Sequence, residues 1–116
     1  MKGHPGYFGD DVDHCVKMIN RIGSPSFKLL FDVYHVQVMN GDVIRRINHY
    51  KEVIGHYHTA GNPGRAELDD QQEINYPGVM NAIVNTGYDG YVAQEFIPTW
   101  EDKALALRHA AEVCDV

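Results

Sequence analysis

The chain has 116 residues, 44% of them apolar and 22% charged, which gives room for one domain over residues 1–116 with a core of its own and argues against a disordered chain. A formal net charge of −6 with only 10 Lys and Arg argues against a nucleic-acid backbone as main partner, because phosphate binding draws on clustered cations. No apolar run approaches the roughly 18 to 20 residues of a membrane span, and Met1–Gly9 lacks the apolar centre of a signal peptide, so the expected setting is cytoplasmic, with no membrane partner.

Residues 1–9 read as loop, broken by Gly3, Pro5, Gly6 and Gly9, with His4 as a solvated side chain. From a cap at Asp10 or Asp11, Val12, Cys15, Val16 and Ile19 recur at helical spacing, and Gly23 supplies the stop. The apolar run Phe27–Val33 reads as a buried strand that ends at Asp32, followed by a loop from Tyr34 to Gly41. A helix is expected from about Asp42 to Lys51, with Val43, Ile44 and Ile47 inward, leading into a strand over Val53–His58. A long polar loop follows. Asn75 and Pro77 mark the next helix start, with Val79, Met80, Ile83 and Val84 as its stripe and Gly87 as its end. Tyr91–Phe96 reads as a third strand, and Thr99 with Asp102 caps a last helix carrying Leu105, Leu107, Ala110, Ala111 and Val113. Cys15 and Cys114 fall on helices and read as buried free thiols of a reducing compartment rather than as a bridge.

The order is one helix, then strand and helix three times over, which specifies an α/β fold with parallel strands and helices packed outside. In such sheets ligands sit beyond the carboxyl ends of the strands, and that is where Asp32, His58 and Glu95 fall. By period-two parity, Asp32 shares a face with Leu30, His58 with Ile54 and His56, and Glu95 with Tyr91 and Ala93. If these faces line one interior, two carboxylates and an imidazole converge at one rim. Such donors suit a divalent ion such as Mg, Mn, Co or Zn.

Each residue also has a plainer reading. Asp32 is equally a turn former or helix cap, His35 either contacts substrate or finishes a turn, and Arg65 either binds an anionic group or is solvated. His56 reads as a hydrogen-bonded core histidine, and His14, His49 and His109 as surface residues on helices. Glu67, Asp69 and Asp70 read as solvated loop charges, while Glu73 either caps the following helix or holds the loop.

The segments FDVYH (Phe31–His35), GHYHTAGNPGR (Gly55–Arg65), EINYP (Glu73–Pro77) and GYDGYVAQEF (Gly87–Phe96) resemble hydroxypyruvate isomerase and its relatives. These belong to the xylose-isomerase-like superfamily of (β/α)8 barrels, which also holds ketose 3-epimerases and endonuclease IV. The resemblance covers nearly the whole chain, in order. It implies that Asp32, His58 and Glu95 are three of four metal ligands, that Glu95 is one of two proton-moving glutamates, and that His35 and Arg65 contact substrate. It also implies a divalent metal cofactor, a small hydroxy-carbonyl substrate and an enediolate formed between the two glutamates. A full barrel takes about 250 residues, so the resemblance is to the C-terminal half, a partial barrel lacking the other glutamate. Such a half is expected to pair with a second copy or with a complementary N-terminal half, because its open sheet exposes strand edges and apolar surface. The alternative is a non-catalytic half barrel that self-associates and binds metal. DNA repair of the endonuclease IV kind is disfavoured by the acidic charge.

Overall fold

The computed structural model describes residues 6–116, so His4 and the first half of the expected N-terminal loop lie outside the described residues. The elements run α1 (Val12–Ile22), β1 (Leu29–Asp32), α2 (Val33–Met39), α3 (Val43–Tyr50), β2 (Ile54–Thr59), α4 (Tyr76–Asn85), β3 (Val92–Gln94) and α5 (Lys103–Cys114). The three strands form one open, parallel sheet in the order β1-β2-β3. No described helix is long and apolar enough to cross a membrane.

Four of the five described helices start where a side chain accepts from a free backbone N–H. Asp11 accepts from the His14 N–H at 2.8 Å, and Gly23, at φ 67°, closes α1 in the left-handed region. Asn75 caps α4 through the Gly78 N–H, and Asp102 caps α5 through the Leu105 N–H. A core joins Phe31 and Tyr57, from one face of the sheet, to Val12 and Val16 of α1, Val33 and Val36 of α2, Ile47 of α3, Tyr76 and Val79 of α4, and Ala110 of α5.

Four expectations are corrected. The segment Tyr34–Gly41 is largely the helix α2 rather than a loop, so two helices follow β1. Asp32 caps it, and Val33, Tyr34 and Val36 bury themselves beneath it, with no breaker before Asn40-Gly41. The inward stripes are narrower than expected: Ile44 and Val84 are exposed, and on α5 Ala106 and Ala110 are the buried positions while Leu105 and Leu107 are exposed. β2 also breaks strict alternation. Leu29 pairs with Ile54 but Leu30 pairs with His56, so Gly55 is skipped, Ile54 joins the helix-side core and only His56 and His58 share the other face. His56 is accordingly only half-buried, its ring edge-on to that of His58 at 4.9 Å, rather than a core histidine.

Candidate active site at the strand ends

The register does the first part of the work. Asp32, His58 and Ala93 stand side by side across the three strands, and Glu95 follows two residues after Ala93 on the same parity. The Glu95 N–H donates to the Thr59 carbonyl at 2.9 Å, which prolongs the ladder past β3 and holds the carboxylate at the rim. As a result, one ligand-type atom from each of Asp32, His58 and Glu95 lies within 4.8 Å of the others.

Asp32 serves two ends at once. Its Oδ1 accepts from the His35 N–H at 3.0 Å as the cap of α2, and its Oδ2 is turned to the cluster, 4.0 Å from His58 Nδ1 and 3.9 Å from His35 Nε2. The plainer reading of Asp32 as a helix cap is met by Oδ1, which leaves Oδ2 turned toward His58 and His35. Glu95 Oε2 lies 3.3 Å from His58 Nδ1 and also accepts from Arg65 Nη2. Burial pushes Glu95 toward its neutral form, but the Arg65 hydrogen bond and charge, with smaller help from His58 and Asp32, hold it below the usual carboxylate range.

Arg65 reaches this point because the loop after β2 is a built structure. Gly61 and Ala66 bridge to each other, and the Arg65 carbonyl accepts from the Ile97 N–H at 2.8 Å. Arg65 itself sits at φ 58°, a left-handed conformation that non-glycine residues adopt rarely and chiefly where surroundings enforce it. Gly61 is required by space: a Cβ there would lie 1.9 Å from the Glu67 carbonyl oxygen. The Tyr76 hydroxyl donates to the Ala60 carbonyl at 2.7 Å and accepts from the Ala60 N–H at 3.0 Å, which pins the loop's start to α4. Glu73 holds the loop rather than capping α4: its carboxylate accepts from Asn62 Nδ2 and Gln37 Nε2.

Glu67 is not a solvated loop charge. It is 3% exposed, and its carboxylate accepts from the Thr99 N–H, the Thr99 hydroxyl at 2.9 Å and the Trp100 N–H at 2.8 Å. Burial works against its charge, yet these donors outweigh it and keep the carboxyl below its ordinary value of 4.5. Asp70, by contrast, is exposed as expected. On the helix side of the rim, the Thr59 hydroxyl lies 2.7 Å from Gln94 Oε1, and Gln94 Nε2 reaches the Ala110 carbonyl at 3.3 Å. The sequence signal for both networks was faint: a single Glu among four acidic residues, and a Thr on the buried parity of β2. A small cavity of about 80 Å³ opens beside Asp32 and His35, walled by Val12, Leu29 and Val36.

The sequence profile of the family described as xylose isomerase-like TIM barrel matches residues 1–115. The chain belongs to that family. It is 36% identical over 94 residues to a 2-oxo-tetronate isomerase of Cupriavidus necator, and 33% identical over 94 residues to a hydroxypyruvate isomerase of Escherichia coli. Each match takes in 81% of this chain and 36% of the relative, so the chain spans about a third of the length of these curated relatives. A crystal structure titled as an AP endonuclease, family 2, from Brucella melitensis superposes with a TM-score of 0.84 at 32% identity, covering 96% of this chain and 42% of the other. The open three-stranded sheet is thus a partial xylose isomerase-like barrel, with its rim at the end where barrels of this kind carry their chemistry. Two carboxylates and an imidazole gathered within 4.8 Å form a donor set that suits a hard or borderline divalent cation.

Proposed function

We propose that this chain supplies part of the active site of a metal-dependent isomerase or epimerase acting on a small hydroxy-carbonyl compound, of the hydroxypyruvate isomerase kind. The observation that carries the reading is the convergence of Asp32, His58 and Glu95 at the strand ends of a family whose relatives here include isomerases of hydroxypyruvate and 2-oxo-tetronate. Asp32, His58 and Glu95 would hold the divalent cation, whether Mg, Mn, Co or Zn. When bound, such a cation polarises a carbonyl oxygen, a contribution of several kcal/mol to stabilising developing charge.

The chain's own residues do the rest. Glu95, kept ionised by Arg65 and His58, has the charge state of a group that takes a carbon-bound proton and returns one, a role that typically contributes about 10²- to 10⁴-fold. Arg65 offers a planar fork of donors suited to an anionic or oxygen-rich end of the substrate, and His35 stands behind Asp32 where it steadies the substrate or the carboxylate. An N-terminal half of the barrel would bring the second proton-moving glutamate. A second copy of this chain would serve assembly alone, because it brings no second glutamate of that kind.

The experiment is complementation. The chain is co-purified with an N-terminal half of a relative, loaded with Mn²⁺, and assayed for interconversion of hydroxypyruvate and its aldehyde isomer. Turnover that disappears in Glu95→Gln supports the reading, and Mn²⁺ loading without turnover of any hydroxy-carbonyl compound overturns it. A second reading, a non-catalytic half barrel that self-associates, has its own support in Leu30, 50% exposed on the open face of the sheet, and in Phe27, Tyr91 and Ile97, also exposed. Light scattering separates the two: a stable pair of copies that takes up no N-terminal half favours the second.

A further inference from the structure

We infer that Arg65 is an internal counter-cation that holds Glu95 until a divalent cation takes the carboxylate, and that this hand-over frees the guanidinium for the anionic end of the substrate. The inference rests on the metal reading above and adds to it an order of events. Glu95 Oε2 faces two ways, toward His58 Nδ1 at 3.3 Å and toward Arg65 Nη2. The oxygen turned into the cluster is therefore the one the guanidinium already occupies, and a cation and a guanidinium compete for it by charge as well as by space.

The backbone leaves Arg65 one way to yield. Its carbonyl is bonded to the Ile97 N–H at 2.8 Å, two residues beyond Glu95, and the Gly61–Ala66 bridge closes the loop around it. Arg65 thus stays in place while its side chain, 18% exposed, swings. The swing does not take it far from the cluster, because the loop and the Glu95 strand end move as one hydrogen-bonded unit. A guanidinium displaced by the metal remains at the rim, with its donors open to an anion. Linkage makes the coupling reciprocal: an anion that draws Arg65 away strengthens metal binding by the same factor by which metal strengthens anion binding.

The test is Mn²⁺ alone, titrated calorimetrically into the wild-type chain and into Arg65→Met, together with the rate at which phenylglyoxal labels Arg65 in the wild-type chain. Coupling free energies of the usual size correspond to a change of about 5- to 150-fold, and tighter Mn²⁺ binding in Arg65→Met within that range is the expected result. Equal or weaker binding in the variant overturns the latch and leaves the metal reading standing. Binding by neither chain overturns both. The labelling arm needs no variant: Mn²⁺ should speed modification of Arg65 while Arg21, Arg45 and Arg108 keep their rates, and protection of Arg65 by Mn²⁺ overturns the proposal.

Discussion

The two faces of the sheet are built from alternate residues of the same strands and have opposite fates. On the helix side Phe31, Tyr57 and Thr59 are at most 1% exposed, and burial there pushes the Tyr57 hydroxyl up to about 12. On the open side Leu30 is half exposed, His56 is half-buried, and the polar cluster of Asp32, His58 and Glu95 gathers at the rim. The contrast teaches that the packed core and the candidate site are drawn from different parities of the strands. Substitutions on one should cost stability, and on the other function or assembly.

The largest effect is expected from Phe31→Ala, which empties a core position on the helix side and should cost about 3–5 kcal/mol by urea denaturation. A loss under 1 kcal/mol would break the comparison. Gly61→Ala comes next, because its methyl group meets the Glu67 carbonyl and the loop must shift. Overpacking of this kind costs about 1–3 kcal/mol, and Mn²⁺ affinity should fall with it, since the same loop, through the Ile97 N–H, places the Glu95 segment.

Glu67→Gln keeps the volume but replaces an acceptor of backbone N–H groups with an amide, and should cost about 1–3 kcal/mol at neutral pH. The sign with pH follows from its lowered folded-state value. The unfolded chain binds the proton more readily, so the Glu67 contribution is fully present above the ordinary value of 4.5 and fades as pH falls through the lowered one. Urea midpoints of wild type and variant should therefore converge as pH is lowered below the ordinary value of 4.5, and a gap that stays constant would contradict a charged role. Glu95→Gln, at a side chain 47% exposed, should change stability by less than about 1 kcal/mol while abolishing calorimetric Mn²⁺ uptake. The smallest folding effect is expected at Leu30→Lys, within about 0.5–1 kcal/mol. It should nonetheless reduce any self-associated particle toward the 13.1 kDa mass of one chain in light scattering.

Legibility followed the same division. The caps at Asp11, Asn75 and Asp102, the strand ends at Asp32, His58 and Glu95, and the parity that brings these three together were readable because each depends on neighbours within a turn or a strand. The helix α2 is hard to read from sequence because VYHVQV lacks a polar face and its cap, Asp32, also turns an oxygen to the cluster. Hydrophobicity alone does not give the packing face of α5, which packs through the small Ala106 and Ala110 and leaves Leu105 and Leu107 exposed. The face of Ile54 is not legible in the sequence, because no local signal marks the skipped residue at Gly55.

By itself the sequence determined the alternation of strands and helices, and with it a parallel sheet with Asp32, His58 and Glu95 at its carboxyl ends, since periodicity and capping act over a few residues. Tertiary structure alone decided that Glu67 is a buried clamp for Thr99 and Trp100, and that Arg65 lies on Glu95. Those pairings span 30 residues or more, and a carboxylate's partner is chosen by which backbone groups the folded loops leave unsatisfied nearby, a quantity that exists only once the chain has closed on itself.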